Sequence, residues 1–292
     1  MEATKVKLIE CPRDAIQGIH AFIPTDLKVH YIQQLLKVGF HTIDFGSFVS
    51  HQAIPQMADT HEVIRRLDVS NTNTSTKLLA IVANLRGAIE ASEYDEITYL
   101  GYPFSISEVF QMRNTNATIE QSLGRVEAIQ EVCATRNKSL VIYVSMGFGN
   151  PYGETWNVDI AQYWVDRLAD MGIKIMSLSD TIGVATPETI SYLFGNLIPP
   201  YPDVEFGAHL HTTPDSWGPK IEAAFSNGCF RFDGALKGYG GCPMAKDELV
   251  GNMPMENLLR FMHQHGEITG LDMDALVEAE RISLEVYAFA DK

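Results

Sequence analysis

Short apolar runs, rich in β-branched residues, alternate with amphipathic stretches along the chain. Eight runs have the length and composition of buried strands: Val6–Cys11, Thr42–Phe48, Leu78–Asn84, Glu96–Tyr102, Leu140–Ser145, Ile173–Asp180, Val204–His211 and Cys229–Leu236. The stretches with helical spacing include Leu27–Val38, Ile119–Thr135, Val158–Met171, Pro187–Leu197 and Gly218–Asn227. Several strands are almost continuously apolar, as expected where helices cover both faces of a parallel sheet. Eight strand–helix units predict an α/β fold, a (β/α)8 barrel forming one domain over residues 1–292.

An open, doubly wound sheet is the alternative arrangement of the same units. It would place a Gly-rich phosphate loop after an early strand, whereas the first strand here runs into Cys11-Pro12-Arg13-Asp14. We therefore expect the closed barrel. After the eighth unit, Leu271–Ala290 is expected to form one or two further helices, packed beside the barrel or over its mouth.

The composition narrows the classes of function. The 292 residues include 22 Lys and Arg against 37 Asp and Glu, a formal net charge of −15. This balance argues against nucleic acid as a partner, because its binding depends on neutralising phosphates with basic side chains. No apolar run approaches the roughly 20 residues that cross a bilayer, and no secretory signal is evident at the N-terminus. The scattered Cys11, Cys133, Cys229 and Cys242 favour a reducing cytoplasm.

Polar side chains recur at the carboxyl ends of the predicted strands, the end where barrels carry their active sites. They are Arg13, Asp14, Asp44, Ser47, Asn84, Asp180, His209, His211 and, beyond the eighth strand, Cys242 and Asn252. In His209-Leu210-His211 both imidazoles lie on one face of a strand. Two imidazoles with one carboxylate and one amide oxygen form a ligand set that suits Mg²⁺ or Mn²⁺ better than a structural zinc.

Each of these residues also has a purely structural interpretation. Asp14 is compatible with a surface ion pair to Arg13, and Asp180 and Asn252 with helix caps. A buried thiol would explain Cys242. Their coincidence at matching strand ends favours a functional site over independent structural roles.

Five motifs occur in a characteristic order: Pro12-Arg13-Asp14, Ser47-Phe48-Val49-Ser50 with Pro55-Gln56-Met57, Ser179-Asp180-Thr181-Ile182-Gly183, His209-Leu210-His211 and Gly240-Gly241-Cys242-Pro243. In this order they resemble the 3-hydroxy-3-methylglutaryl-CoA lyases of the DRE-TIM metallolyase family. The likeness extends from about Lys5 to the final helices, and the Gly-Gly-Cys-Pro loop is its most specific piece.

The resemblance implies a (β/α)8 barrel that holds a divalent cation, Mg²⁺ or Mn²⁺. The implied ligands are Asp14, His209, His211 and Asn252. It also implies retro-Claisen cleavage of a 3-hydroxyacyl-CoA, giving acetyl-CoA and acetoacetate from the usual substrate. A homodimer is suggested by the family likeness alone.

Roles for the remaining polar residues follow from that chemistry. Arg13 is placed to stabilise the enolate charge, and Cys242, on its Gly-rich loop, would help to protonate the departing enolate carbon. Asp44 and Asp180 are candidates for proton shuttling or for orienting the ligands. Ser47 and Asn84 are predicted to bind the substrate.

The chain departs from the family pattern at Ala15, Asp44 and Thr212, where Gly, Glu and Asp are usual, and in a longer loop from Cys242 to Asn252. A metal-dependent 4-hydroxy-2-oxoacid aldolase and a condensing synthase of the isopropylmalate type are therefore related alternatives. The departures also motivate a non-enzymatic alternative, a catalytically silent barrel that binds a metabolite or a partner protein. The intact set of polar residues at the strand ends argues against it.

Overall fold

Eight parallel strands close into a barrel in which each strand pairs with its sequence neighbours and the first with the eighth. The computed structural model describes residues 6–70, 75–240, 250–267 and 269–291. The strands are Lys7–Glu10 (β1), Thr42–Phe48 (β2), Lys77–Val82 (β3), Ile97–Ser105 (β4), Ser139–Ser145 (β5), Ile175–Ser179 (β6), Glu205–His209 (β7) and Arg231–Gly234 (β8). The predicted barrel is confirmed, and the open doubly wound alternative is wrong. The one-domain boundary over residues 1–292 stays a prediction.

Helices surround the barrel, between successive strands and after β8. They are Pro12–Ile16 (α1), Thr25–Val38 (α2), Thr60–Arg66 (α3), Leu85–Ser92 (α4), Glu108–Thr115 (α5), Ile119–Thr135 (α6), Val158–Asp170 (α7), Pro187–Leu197 (α8), Trp217–Ser226 (α9), Met255–Gln264 (α10) and Met273–Tyr287 (α11). The five predicted helical segments correspond to α2, α6, α7, α8 and α9. The helices α1, α3, α4, α5 and α10 were not among the predicted segments, and four of them span eight residues or fewer.

A single helix, α11, follows the barrel where one or two were predicted. It packs beside the barrel against α2, where the Gln34 side chain donates to the Ala275 carbonyl at 3.0 Å. The Asp272 amide donates to the Val38 carbonyl at 2.9 Å, which ties the start of α11 to the end of α2. No helix in the described ranges is long and apolar enough to cross a membrane.

Strand register decides which side chains meet inside the barrel. His209 of β7 lies opposite Asp233 of β8, and Asp233 lies opposite Ile9 of β1. Towards the amino-terminal end, Gly207 makes room for the fully buried Arg231, because a Cβ at Gly207 would lie 2.9 Å from the Arg231 Cδ atom. Arg231 in turn donates to Glu205 at 3.2 Å. These contacts hold β7 and β8 in the register that aligns their carboxyl ends.

Candidate active site

Asp14, His209 and His211 form a cluster at the carboxyl end of the barrel, with one potential ligand atom from each within 4.8 Å of the others. Asp14 lies on α1, directly after β1, and His209 ends β7. The two imidazole rings are 5.4 Å apart between centroids. Neither ring nitrogen of His211 makes a hydrogen bond of good geometry to a described residue, although both are buried. A buried imidazole without a partner is costly, and a cation would satisfy it, so the cluster fits a divalent metal.

The electrostatics of the cluster suit ligation by Asp14 and His211. Burial opposes charge on Asp14, but Arg13 and the two histidines lower the pKa of its carboxyl to about 2. Burial, with the neighbouring His209, lowers the pKa of His211 to about 4. An ionised carboxylate and a neutral imidazole are the forms that bind metals. Burial also disfavours charge on His209, but Asp233 and then Asp14 outweigh it and raise its pKa, so a cation there would compete with a proton.

Asn252 lies on the Asp14 side of the cluster, in a bridge with His211. Its amide nitrogen donates to Asp14 at 2.8 Å and to the Tyr239 carbonyl at 2.9 Å. Ligation by Asn252, predicted from the sequence, would use the oxygen at the other end of the amide, and it stays a prediction. Gly240 lies next to Asn252 and has a positive φ of 103°. A Cβ at this position would lie 2.6 Å from the Asn252 amide nitrogen.

Arg13 connects Asp14 to Asp44. Its Nε donates to Asp44 at 3.0 Å, and its Nη1 donates to Asp14 and to Gln17, both at 3.0 Å. Burial opposes the charge on Arg13, but Asp44 and Asp14 outweigh burial and raise its pKa. Burial raises the pKa of Asp44 to about 6 although Arg13 opposes the shift. The Nη2 of Arg13 donates one hydrogen to Asp44 at 2.5 Å, and the other has no partner among the residues that the structure describes, so a donor remains for an anionic ligand.

A cavity of about 380 Å³ opens beside the cluster, a size typical of small-molecule sites. Its walls include Arg13, Asp14, His209 and His211 together with the two predicted substrate-binding residues, Ser47 and Asn84. The Ser47 hydroxyl is buried with no hydrogen-bond partner in the described ranges. The Asn84 oxygen caps α4 by accepting from the Gly87 amide at 3.0 Å, which leaves its amide nitrogen for a ligand.

Asp180 lies behind the cluster and is not among the residues that line this cavity. Its Oδ2 accepts from Lys220 at 2.7 Å and its Oδ1 accepts from the Ala185 amide at 2.9 Å. Lys220 also donates to the His211 carbonyl at 2.8 Å. Of the two roles predicted for Asp180, this arrangement favours orientation of a ligand over proton shuttling. Lys220 was not predicted, because nothing in a helical lysine of α9 indicates that its side chain reaches the segments that follow β6 and β7.

Lys220→Met is expected to lower the free energy of unfolding by about 3–5 kcal/mol, because it leaves a buried carboxylate without its cation. The side chain of Asp180 is 0% exposed and that of Lys220 is 4% exposed. The double variant Lys220→Met/Asp180→Leu removes both charges and should regain most of that loss. Urea unfolding of the three proteins measures the effect. Equal stability of the single and double variants would show that the unpaired Asp180 carboxylate does not cause the loss of stability in Lys220→Met.

Asp233 is a further residue that the sequence did not indicate. Its Oδ2 lies 3.1 Å from the Nδ1 atom of His209, while the Nε2 atom of His209 faces Asp14 at 4.0 Å. A carboxylate on one ring nitrogen fixes the tautomer and directs the other nitrogen to a metal. Asp233 lies in the middle of the eighth strand, and only the register of that strand with β7 identifies its partner.

Asp233→Ala is expected to weaken Mn²⁺ binding by about 10–100-fold, the usual effect of losing the outer partner of a ligating histidine. Asp233→Asn should lose less Mn²⁺ affinity, since its amide oxygen can still accept a hydrogen bond from the Nδ1 atom of His209. Calorimetric titration of the two variants measures the difference. Parent-like affinity in the alanine variant would remove Asp233 from the support of the metal site.

The predicted proton donor Cys242 lies outside the described residues, in the segment 241–249. Its role stays a prediction. The described residues that flank this segment are Gly240 and Val250. A Cβ at Gly240 would lie 2.9 Å from the Asp14 carbonyl oxygen, beside the cation cluster, and a Cβ at Gly183, in the loop after β6, would lie 2.9 Å from Val250.

A family model described as HMGL-like matches residues 5–282 of the chain. The chain belongs to the HMGL-like family. This membership confirms the resemblance on which the sequence interpretation depended, and members of this family use a metal.

Several known proteins are similar to this chain over most of their length. The cytoplasmic 3-hydroxy-3-methylglutaryl-CoA lyase of Rattus norvegicus is 33% identical over 279 residues, 94% of this chain and 79% of that protein. The mitochondrial hydroxymethylglutaryl-CoA lyase of Mus musculus is 30% identical, covering 94% and 83%. A solved HMG-CoA lyase from Acinetobacter baumannii, in complex with coenzyme A and 3-methylmalate, superposes with a TM-score of 0.88 at 29% identity, covering 100% and 93%.

Proposed function

We propose that the protein is a divalent-metal-dependent carbon–carbon lyase. Its substrate is 3-hydroxy-3-methylglutaryl-CoA or a close relative, which it cleaves to acetyl-CoA and acetoacetate. One observation carries this proposal: the Asp14, His209 and His211 cluster opens into a cavity at the carboxyl end of an HMGL-like barrel.

Four residues would hold the cation: Asp14, His209, His211 and Asn252. We propose Mg²⁺ or Mn²⁺, because a mixed set of nitrogen and oxygen donors with open positions suits an octahedral ion. The bound cation supplies polarisation of the C3 hydroxyl and of a carboxylate oxygen of the substrate. Asp233 orients His209 for this task, and Lys220 holds the backbone of His211.

Arg13 stabilises the charge that develops during cleavage. As the C2–C3 bond breaks, the C3 hydroxyl gives its proton to water in the open cavity and its oxygen becomes the ketone of acetoacetate, while the electron pair remains on C2 as an enolate of the thioester. The Nη2 hydrogen of Arg13 that Asp44 leaves unpaired donates to the enolate oxygen. Asp44 and Asp14 hold the guanidinium in place before the charge appears, which is the preorganisation that such stabilisation requires.

Cys242 completes the reaction by helping to protonate C2 of the enolate, which gives acetyl-CoA. The position of its segment in the chain, between Gly240 and the ligand Asn252, supports this role. Ser47 and Asn84 contact the substrate from the wall of the cavity.

The partner is a small acyl-CoA, and the complex of a related lyase with coenzyme A supports this choice. Arg113, at the cavity wall, supplies a local positive charge against the net −15 of the chain. A cytoplasmic location is proposed from the scattered cysteines and from the cytoplasmic relatives, although mitochondrial relatives are similarly close. A homodimer is proposed from family likeness alone.

Turnover of 3-hydroxy-3-methylglutaryl-CoA with Mg²⁺ or Mn²⁺ tests the proposed function. Acetoacetate and acetyl-CoA are expected in equal amounts, and a chelator should stop the reaction. The same panel includes 4-hydroxy-2-oxoacids for the aldolase alternative, and a 2-oxoacid with acetyl-CoA for the synthase alternative. Cleavage of an oxoacid alone would reassign the substrate. A folded, metal-loaded protein that turns over no compound of the panel would support the silent barrel.

A further inference from the structure

A second group of metal-ligating side chains lies inside the barrel beside the cation cluster. Cys11, His209 and Asp233 offer one ligand atom each, and these atoms lie within 4.8 Å of one another. They come from β7, β8 and the residue just after β1, three neighbouring strands of the barrel. Asp233 lies opposite both His209 and Ile9, and Cys11 shares the face of Ile9 because side chains alternate along a strand. Register therefore brings the thiol to this carboxylate.

The two groups share His209 but differ in chemistry. Asp14 and His211 add oxygen and nitrogen ligands to the outer cluster, whereas Cys11 adds sulfur to the inner one. Thiolate, imidazole and carboxylate together favour a zinc-like ion, since soft thiolates select such metals over Mg²⁺ and Mn²⁺. Two ligands at about 2.1 Å from a tetrahedral zinc lie about 3.4 Å apart, and the His209 Nδ1 to Asp233 Oδ2 distance is 3.1 Å.

Unused polar atoms surround the inner group. The second oxygen of Asp233, Oδ1, and the hydroxyl of Tyr143 are buried with no hydrogen-bond partner in the part of the chain that the structure describes. The ring of Tyr143 meets that of His209 edge-on at 5.7 Å between centroids. Cys11 is 1% exposed, and the one hydrogen bond of its thiol to a described residue goes to the Ile9 carbonyl at 3.7 Å. Buried polar atoms without partners indicate a ligand that the protein alone does not supply.

We propose that Cys11, His209 and Asp233 form a second metal site, selective for a thiophilic divalent ion such as Zn²⁺, and that its occupation disables the outer cation site. A neutral imidazole has one free lone pair. Ligation through Nδ1 places the ring hydrogen on Nε2, which faces Asp14 at 4.0 Å, so His209 cannot serve both sites. The thiol proton leaves to solvent when the metal–sulfur bond forms. The inference concerns metal selectivity and does not depend on the proposed substrate.

Cobalt spectroscopy tests the sulfur ligand directly, because a cobalt-bound thiolate gives a charge-transfer band in the near ultraviolet. The experiment uses the full chain carrying Cys242→Ser, which removes the thiol that is proposed to take part in the reaction. The band is expected in this protein, and Cys11→Ser should abolish it. Cys229→Ser is the matched control, since Cys229 is also buried but its thiol donates to the backbone carbonyls of Phe206 and Arg231, and this variant should retain the band. Absence of the band in the first protein, or its persistence in Cys11→Ser, overturns the proposal.

Zinc titration tests the selectivity. Zn²⁺ should displace Mn²⁺ from every variant, because imidazole and carboxylate ligands also prefer zinc. Loss of a residue that only orients a metal ligand lowers affinity by about 10–100-fold. Cys11→Ser is expected to lower zinc affinity by more than this, while Mn²⁺ affinity stays within about twofold of the parent. Equal zinc affinities in parent and variant overturn the proposal. If Cys11→Ser does not fold, X-ray absorption of the zinc-loaded Cys242→Ser protein tests the sulfur ligand instead. A zinc ion with one sulfur ligand supports the site, and a zinc ion without a sulfur ligand overturns the proposal. These readouts need no turnover, so they remain interpretable if the lyase assignment fails.

Discussion

His211→Ala is expected to weaken Mn²⁺ binding by more than about 100-fold, since loss of an outer partner of a ligand already costs about 10–100-fold. Turnover of 3-hydroxy-3-methylglutaryl-CoA should fall by about 10³-fold or more, because polarisation by a bound cation contributes several kcal/mol. His211 is the sharpest position for this test because its ring makes no well-formed hydrogen bond within the described ranges. Asp14, in contrast, also contacts Arg13 and Asn252, so its removal would disturb both.

His41→Ala is the matched control for His211→Ala. His41 precedes β2 at the opposite, amino-terminal end of the barrel, and it contacts Thr42 at 2.9 Å. Its replacement should leave Mn²⁺ affinity unchanged. Calorimetry measures binding, and thermal unfolding verifies that both variants keep the fold. Mn²⁺ binding by His211→Ala that is as tight as in the parent would show that the cation does not use this ring.

The barrel and the position of the site could be predicted because both depend on patterns that are local in sequence. Eight apolar runs in alternation with helical segments leave few architectures, and the carboxyl ends of parallel strands meet at one face. The spacing of His209 and His211 places both rings on one side of a strand. Arg13, Asp14, Ser47 and the histidines therefore reach one cavity from separate places in the chain.

The partners of those residues could not be predicted, because they depend on register and on side-chain reach. Asp233 meets His209 only because β7 and β8 pair in one particular register. Lys220 extends from α9 to Asp180 in the preceding strand–helix unit. Cys11 was interpreted only as a scattered cysteine, and its approach to His209 and Asp233 follows from the closure of β1 onto β8. Long-range pairing of this kind leaves no periodic trace in a single sequence.

Replacing Arg13 tests whether this residue stabilises the transition state or supports the metal site. Arg13→Met is expected to lower kcat by about 10²–10³-fold, the usual effect of removing one donor to a developing oxyanion. Mn²⁺ should bind at least as tightly as in the parent, because the substitution removes a positive charge that lies 3.0 Å from the ligand Asp14. Steady-state kinetics and calorimetry on the same preparations measure the two effects separately.

In Arg13→Met the buried carboxylate of Asp44 loses its main counter-charge, because that charge is the guanidinium of Arg13. The double variant Arg13→Met/Asp44→Asn removes that unpaired charge and should restore stability without restoring kcat, since the donor to the enolate is still absent. Arg13→Lys keeps the charge but lacks the planar fork that reaches Asp44 and Asp14 together, so its kcat should lie between those of the parent and Arg13→Met. A fall in Mn²⁺ affinity that parallels the fall in kcat would mean that Arg13 acts by holding Asp14. The role of donor to the enolate would then be wrong.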